Sequence, residues 1–325
     1  MLPFIIRRLL VSIPLLAVSS FLVFVLVANS GDPLEDLRLN PRVSARVVEL
    51  REQELNLDKP VIVRYGIWVK DIVRGDMGTD NAGVPVRPQL TRALGVTMRL
   101  VIVSLMIAVG LAILVGVISA VRQYSIFDYS STFASFLFFS LPVFWLAALL
   151  KEFGAIRINR LFDRQLVYTI GQESVDFQGG FLARLGDIAG HTVLPATTLI
   201  LISFAQYSRY TRSSMLDVLQ SDYVRTARAK GLAGRRVLTR HALRNALIPL
   251  ATVVALDFGA VIGGAVVTER VFNWRGMGTL LIQGVQRFDV NVVQAWLLVT
   301  ATVVVIFNLI ADIAYAYLDP RIRLG

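Results

Sequence analysis

The side chains best able to do chemistry in this sequence are basic residues concentrated in one segment, residues 208–245. Long apolar runs flank the segment, which holds two acidic residues and nine basic ones: Arg209, Arg212, Arg225, Arg228, Lys230, Arg235, Arg236, Arg240 and Arg244. Such a density of cations suits charge contacts with a partner, or serves only as a solvated loop that sets membrane topology. Each Arg or Lys at the centre of a membrane helix costs roughly 2.5–3.5 kcal/mol on an insertion scale. We therefore expect an aqueous loop between two membrane spans.

Catalytic chemistry has little support in the sequence. Of the two histidines, His191 and His241, neither belongs to a HExxH or similar ligand cluster, and the chain has no cysteine for disulfides, thiol nucleophiles or cysteine metal sites. The sequence contains no GxxxxGK[ST] motif, so it cannot hydrolyse ATP by a P-loop mechanism. We predict a chain that is not an enzyme and that binds neither a metal nor a cofactor itself.

The centre of the basic segment reads DYVRTARAKGL and predicts a short helix. Ser221 or Asp222 can cap the helix start, and Gly231 can close its end in a left-handed conformation. The residues between are rich in Ala, Arg and Lys, with Asp222 at the positive end of the helix dipole and Lys230 at the negative end. We expect about two helical turns over residues 223–230.

This stretch, together with HALRNALIP at residues 241–249, resembles the cytoplasmic loop of permease subunits of ATP-binding-cassette (ABC) importers. The sequence pattern resembles that of the peptide and nickel importer family, which includes dipeptide and oligopeptide permeases. General importers carry a Glu-Ala-Ala, three residues, Gly pattern, whereas here Arg225, Thr226 and Ala227 precede Gly231, so the Glu is replaced. The resemblance extends over nearly the whole chain, including TERVFNWRGMGTLL at 268–281 and LDPRIR at 318–323.

The resemblance implies a permease that pairs with a second, similar permease as a heterodimer and with two ABC ATPase subunits, which would bind the ATP and Mg²⁺. An extracytoplasmic binding protein would deliver dipeptides or longer peptides, with nickel chelates or related solutes as the alternative. The short helix would be the coupling helix docking on an ATPase, with Tyr223 and Ala227, four residues apart, presenting one contact face. The residues assigned to coupling are Asp222, Tyr223, Val224, Arg225, Thr226, Ala227, Arg228, Ala229, Lys230 and Gly231.

Composition and hydropathy predict an all-α, polytopic membrane protein with six transmembrane helices. The chain is 55% hydrophobic with a mean hydropathy of +0.63, too apolar for a soluble domain. The spans are expected at 9–28, 100–121, 129–150, 192–208, 245–268 and 293–311. The resemblance adds the type I transmembrane fold of ABC importers, with an N-terminal helix and extracytoplasmic segment at 1–93, a five-helix core at 94–318 and a tail at 319–325.

Charge distribution orients these spans in a bacterial plasma membrane. With both termini cytoplasmic, fourteen basic residues face inward against three acidic loop residues, as the positive-inside rule favours. The excess of basic charge is thus explained by lipid and topology, and no nucleic-acid partner is expected. A cleaved signal peptide is the alternative for residues 9–28. Residues 31–99 would be extracytoplasmic, with a surface helix over 43–55 and a turn at 56–60. This segment would either face the receptor or act as a plain connector. Residues 151–190 are predicted to form a polar loop.

Two residues inside predicted spans are candidates for the solute pathway. Asp257 lies among apolar residues in the fifth span, so we expect its carboxylate to line the pathway, to pair across a subunit interface or to be a satisfied packing group. Pro142 would kink the third span, which either shapes the pathway or only sets helix packing. Three other classes of function are alternatives. A secondary transporter would need ion sites and often inverted repeats. A channel would need a pore loop or a charge ring, and a membrane-bound enzyme would need a catalytic cluster.

Overall fold

The structure of the protein, a computed structural model, describes residues 2–175 and 177–318; the side chains of residues 2–9, 36, 256, 260, 262–264 and 311–318 lie outside the description. So do the predicted tail at 319–325 and most of the LDPRIR motif. Within the described residues there is no β-strand, only an isolated bridge between Thr79 and Pro85. The all-α prediction is therefore confirmed.

The long helices are strongly apolar, and the short helices lie in the polar parts of the chain. They are α1 (Leu2–Ala28), α2 (Glu35–Leu39), α3 (Ala45–Glu54), α4 (Val61–Val73), α5 (Val86–Val121), α6 (Ile126–Ser140), α7 (Val143–Leu149), α8 (Ile156–Phe162), α9 (Phe181–Leu219), α10 (Asp222–Ala229), α11 (Gly234–Arg236), α12 (Leu243–Val271), α13 (Met277–Gln286) and α14 (Val290–Leu318), with π-helical turns at Leu150–Ala155 and Val237–Ala242.

Four stretches of the described chain are long and apolar enough to cross a membrane: Leu10–Ala28, α5, α9 and Val290–Ile310. The pair Ile126–Ser140 and Val143–Phe162 passes the same test when taken together, although the two helices are bent by 107°. The remaining long helix, α12, has 29 residues, and five of its side chains lie outside the description. These helices are consistent with six spans, and the count of six stays a prediction.

The predicted third span is not one continuous helix. Leu141 has extended backbone angles (φ −81°, ψ 130°) and Pro142 stands at the start of α7. Because the residue before a proline is disfavoured in the helical region, and proline has no N–H to donate, the helix stops at this dipeptide. The prediction of a kink within the span is thereby replaced by a break.

The predicted polar loop at 151–190 is also wrong over much of its length. The chain stays helical from α7 through the π-helical turn and α8 to Phe162, and α9 already begins at Phe181. Packing explains the helix, because Ala155 is buried in a cluster with Ala147, Leu194 and Phe272. The ammonium of Lys151 also donates a hydrogen bond to the carbonyl of Val271 at 3.1 Å. Tertiary contacts of this kind stabilise helices whose sequence alone is only marginal.

The chain divides into two compact units, Met1–Val96 with Arg275–Val305, and Thr97–Trp274 with Ile306–Gly325. In the first unit, the predicted surface helix is present as α3, which has no buried residue, and the predicted turn follows, with Asn56 at φ 56°. The domain boundaries predicted at 93/94 and 318/319 stay predictions.

Hydrogen bonds to the Asp289 carboxylate link the loop before α5 to the start of α14 within the first unit. The two carboxylate oxygens accept hydrogen bonds from the backbone N–H groups of Asn81 (2.7 Å) and Val292 (3.1 Å). Asn291 adds a hydrogen bond to the carbonyl of Thr79 at 2.9 Å. Burial raises the pKa of the Asp289 carboxyl, and the N–H donors oppose that shift.

Candidate functional site

The predicted short helix in the basic segment is present as α10, Asp222–Ala229. Ser221 occupies the N-cap position with extended backbone angles, but its hydroxyl donates to the carbonyl of Val218 at 2.6 Å instead of accepting from the helix. Asp222 stands in the first turn and Arg228 in the last, which is the favourable order of charges for the helix dipole. The predicted position of the helix is therefore confirmed to within one residue at each end.

Gly231 ends the helix in a left-handed conformation, as predicted, with φ 74°. The N–H of Gly231 donates to the carbonyl of Arg228 (2.9 Å), and the N–H of Leu232 donates to that of Ala227 (3.4 Å). These two bonds are the Schellman pattern, which satisfies carbonyls that the last helical turn leaves free. The chain thereby reverses direction immediately after α10.

The inner face of α10 packs on the protein's own helices. Val224 and Ala227 are 0% and 6% exposed. They belong to an apolar cluster formed with residues of α5, α9, the second π-helical turn and α12: Ala120, Met215, Val237, Ala242 and Ala246. The prediction that Tyr223 and Ala227 share one outward contact face is therefore wrong, because a small apolar side chain is stabilised by burial and Ala227 faces this cluster.

The outer face of α10 is polar, basic and exposed. Tyr223 is 45% exposed, and its hydroxyl accepts a hydrogen bond from the Asn245 side chain at 3.0 Å, which fixes it beside the start of α12. The other exposed side chains are Asp222, Arg225, Thr226, Arg228, Ala229 and Lys230. The Arg225–Asp222 ion pair spans 3.5 Å, with both side chains largely in solvent, so it contributes little to stability.

The predicted loop at 208–245 is helical at both ends, since α9 continues to Leu219 and α12 begins at Leu243. Two arginines that were assigned to the aqueous loop lie on α9 with partners. The guanidinium of Arg209 lies 4.9 Å and 4.3 Å from the ring centres of Phe136 and Phe139. Arg212 pairs with Asp128, and these partners offset the cost of placing cations on an apolar helix.

The Asp128–Arg212 pair joins the start of α6 to α9. Arg212 Nε lies 2.6 Å from one carboxylate oxygen and Nη2 lies 2.7 Å from the other, so the contact is bidentate. Asp128, which is 2% exposed, also accepts hydrogen bonds from the Ser119 hydroxyl and from the Tyr124 N–H. This pair is not predicted above, and its only sign in the sequence is an acidic and a basic residue next to apolar runs.

Close helix contacts surround the same region. The hydroxyls of Ser135 on α6 and Ser208 on α9 lie 2.9 Å apart. A Cβ atom at Gly116 of α5 would lie 2.6 Å from the Cβ of Thr211 on α9, so only glycine fits there. The end of α9 that leads into α10 is thus held by both α5 and α6.

The two pathway candidates lie in other parts of the second unit. Asp257 is half-buried in α12 and accepts a hydrogen bond from the amide of Gln206 on α9 at 2.7 Å. Pro142 stands at the break between α6 and α7. His191 stacks on Tyr168 at 3.9 Å, and no group of three or more metal-binding side chains occurs in the part of the chain that the structure describes.

Comparison with known proteins identifies the family. A family model described as the binding-protein-dependent transport system inner membrane component matches residues 112–324, and the model of the N-terminal region of such components matches residues 1–94. The chain belongs to this family. The importer resemblance of its sequence motifs is thereby confirmed, and this permease is a membrane subunit of an ABC transport system of the bacterial inner membrane.

Full-length relatives support the same assignment. The permease is 42% identical to the oligopeptide transport system permease protein OppB of Mycobacterium tuberculosis, with 98% of each chain covered. It is 40% identical to AppB of Bacillus subtilis (98% of this chain, 99% of the relative) and 35% identical to the dipeptide permease DppB of Escherichia coli (99% of each).

A solved structure shows the fold. The MetNI methionine ABC transporter, in an inward-facing conformation, matches with a TM-score of 0.54 at 15% identity, covering 71% of this chain and 96% of that one. The predicted ABC importer transmembrane fold is confirmed. Permeases of such importers work in general with a partner permease, ATPases and a binding protein.

Proposed function

We propose that this permease forms, with a second homologous permease, the membrane pathway for short peptides that an extracytoplasmic binding protein delivers. The relatives at 35–42% identity over nearly the whole chain are named as oligopeptide and dipeptide permeases, which supports the substrate class. ATP and Mg²⁺ bind to two separate ATPase subunits, and both termini lie in the cytoplasm. The sequence supports this division of labour because it lacks a P-loop.

The observation that carries the proposal is the two-sided character of α10. Its inner edge is anchored by Val224 and Ala227, while its outer face presents a tyrosine and basic side chains to solvent. An anchored helix with an exposed charged face suits docking on another protein, because burial of its inner edge keeps it attached when the outer face is pushed or pulled. We infer that α10 is the contact through which an ATPase subunit moves α9 and α12.

ATP would then act by shifting a conformational equilibrium. A rigid helix between α9 and α12 conveys the motion of the docked ATPase to both helices at once, because it is packed on their ends. Differential binding of ATP to the two states of the ATPase pair shifts the permease between inward-open and outward-open conformations.

Single-cysteine crosslinking tests this function, since the natural chain has no cysteine. Tyr223→Cys and Thr226→Cys place thiols on the exposed face of α10, and Ala227→Cys places one on the buried face as a matched control. In the assembled complex we expect crosslinks to an ATPase subunit from the exposed positions and none from Ala227. An active complex in which neither exposed thiol reaches an ATPase would contradict the docking role.

Uptake measurements test the substrate class. The complex of both permeases, the ATPases and the binding protein in liposomes should take up a labelled tripeptide only with ATP inside, and unlabelled di- and tripeptides should compete. Competition by nickel chelates and none by peptides would overturn the peptide assignment. Transport by this permease alone, without an ATPase, would overturn the importer mechanism.

A further inference from the structure

The first unit contains a large cavity that the proposed function does not use. Its volume is about 840 Å³, and it lies between α3, α4, the loop at 76–85 and the start of α14. Ligand sites for small molecules occupy roughly 300–1,000 Å³. The cavity is therefore large enough for a peptide of a few residues.

One face of α4 supplies the chemistry of this cavity. Arg64, Trp68 and Asp71 all line it and follow one another at intervals of four and three residues, the spacing that places side chains on one helix face. A basic, an aromatic and an acidic residue therefore follow one another along the cavity wall. Ion pairs elsewhere in the wall, such as Arg51 with Glu54, are already satisfied within the chain.

Two of these groups are buried donors without a partner. Trp68 is 8% exposed, and neither its indole N–H nor the Nε–H of Arg64 has a hydrogen-bond partner in residues 2–175 and 177–318. Burial lowers the pKa of the Arg64 guanidinium, which nevertheless stays charged at neutral pH. A buried donor without an acceptor is destabilising, so an anionic ligand oxygen that gained access to these donors would relieve that cost.

Phe24 holds these two donors side by side. The Arg64 guanidinium lies 5.9 Å from the Phe24 ring centre, and the Trp68 ring lies 6.4 Å from it. Trp68 is also stacked on Tyr65 at 5.9 Å, and the Tyr65 hydroxyl is 2.8 Å from that of Ser20. The anion-binding end is thus fixed by aromatic packing before any ligand arrives, which lowers the entropic cost of binding.

Asp71 provides the opposite charge at the other end of the same face. Within the described residues its carboxylate makes no ion pair and accepts no hydrogen bond, although its backbone carbonyl accepts the N–H groups of Arg74 and Asp76. The Cα atoms of Arg64 and Asp71 lie about 10 Å apart along the axis, because each helical residue rises 1.5 Å. An extended peptide of three residues spans about the same length.

We propose that this cavity binds a short zwitterionic peptide, with its terminal carboxylate at Arg64 and Trp68 and its ammonium group at Asp71. The proposal rests on the proposed function, which makes short peptides the solute that reaches the permease. It adds a peptide-binding site on the permease itself, outside the membrane-spanning helices α5 and α9.

Calorimetric titration of the full chain in lipid nanodiscs, without binding protein or ATPases, tests the site. Three probes separate the two ends: trialanine, trialanine amide and N-acetyl-trialanine. We expect trialanine to bind and each blocked peptide to bind roughly tenfold to hundredfold more weakly, as expected for the loss of one charged contact. Equal binding of all three peptides, or no binding of trialanine at millimolar concentration, would overturn the proposal.

Matched variants show which residue binds each end of the peptide. Arg64→Gln should weaken trialanine binding by a similar factor while leaving the already weak affinity of trialanine amide unchanged, and Asp71→Asn should behave in the same way toward N-acetyl-trialanine. Trp68→Phe keeps the aromatic packing and removes only the N–H. Arg74→Gln and Asp58→Asn change exposed charges near α4 that do not line the cavity, and they should have no effect.

Several results distinguish this site from its alternatives. If Arg64→Gln weakens all three peptides equally, the residue acts only through packing and the proposal is wrong. If the variant instead weakens capture of a folded binding protein and leaves trialanine unaffected, the cavity is a protein contact. ATP-driven peptide uptake without any binding of trialanine to the isolated chain would refute this site alone, whereas binding without uptake by the complete complex would refute the proposed function alone.

Discussion

Arg212 contacts Asp128 across 84 positions of the sequence, with Nε 2.6 Å from one carboxylate oxygen and Nη2 2.7 Å from the other. The pair ties α6 to the part of α9 that leads into α10. The end of α9 that leads into α10 is therefore fixed by charge as well as by packing. We expect a displacement of this part of α9 to act on α6 through the pair.

Removing one partner of the pair should destabilise the protein. Asp128→Asn should lower the free energy of unfolding by about 3 kcal/mol or somewhat less, because it leaves a cation poorly compensated and Arg212 is 27% exposed. The double variant Asp128→Leu with Arg212→Met should be more stable than either single variant, since no unpaired charge remains. Denaturation midpoints of the purified permease in detergent measure the order of stability.

The control is the exposed Asp222–Arg225 pair of α10. Arg225→Gln should leave the midpoint unchanged, because exposed ion pairs contribute little. Equal effects of Arg225→Gln and Asp128→Asn would contradict the structural role assigned to the buried pair.

Gly231 should be required for its backbone conformation and not for space. Its φ is 74°, and no atom lies within 4 Å of a Cβ atom built there. Gly231→Val should strain the end of α10 by about 1–2 kcal/mol and uncouple ATP hydrolysis from uptake, whereas Gly231→Asn should retain coupling because asparagine tolerates left-handed angles. The ratio of phosphate released to peptide taken up in liposomes is the readout.

Gly234 provides the matched control for Gly231. It also has open space around it, but its φ lies outside the left-handed range. Gly234→Ala should therefore leave the ratio unchanged. Full coupling in Gly231→Val would remove the Schellman turn from the coupling mechanism.

Asp257 should serve transport more than assembly. Its carboxylate accepts the Gln206 amide at 2.7 Å, and the half-buried side chain remains partly open. Asp257→Asn keeps the shape and removes the charge, so we expect the complex to assemble normally and to take up peptide at least several-fold more slowly, a loss of about 1 kcal/mol or more at the barrier. Unchanged uptake and assembly would remove Asp257 from the solute pathway.

Pro142 should keep α6 and α7 separate. Pro142→Ala restores a backbone N–H and releases Leu141 from its extended conformation, so the 107° bend between the two helices loses its local cause. We expect slower uptake with normal expression, and we expect a pair of spin labels on α6 and α7 to move apart. Pro195, inside the continuous helix α9, is the control: Pro195→Ala should leave the distance between the same labels unchanged. An unaltered distance in Pro142→Ala would show that packing alone holds the break.

Features that depend on neighbouring residues were predictable from the amino-acid order alone. The membrane character follows from long uncharged runs, and α10 follows from a local propensity between a Ser-Asp start and a glycine end. The left-handed angle of Gly231 was predictable because glycine adopts it more readily than any other residue. The absence of a P-loop motif can likewise be recognised without a structure, since that motif is a contiguous string of residues.

Features that depend on residues far apart in the chain became visible only in the folded molecule. Which face of α10 is buried depends on α5, α9 and α12, so Ala227 was wrongly assigned to the outer face. The charges of residues 208–219 alone indicated a loop, whereas α9 continues through them, and the Asp128–Arg212 pair stabilises this helix because a bidentate partner offsets the cost of a cation at the edge of an apolar bundle. The cavity beside α4 likewise exists only where α3, the loop at 76–85 and the start of α14 meet.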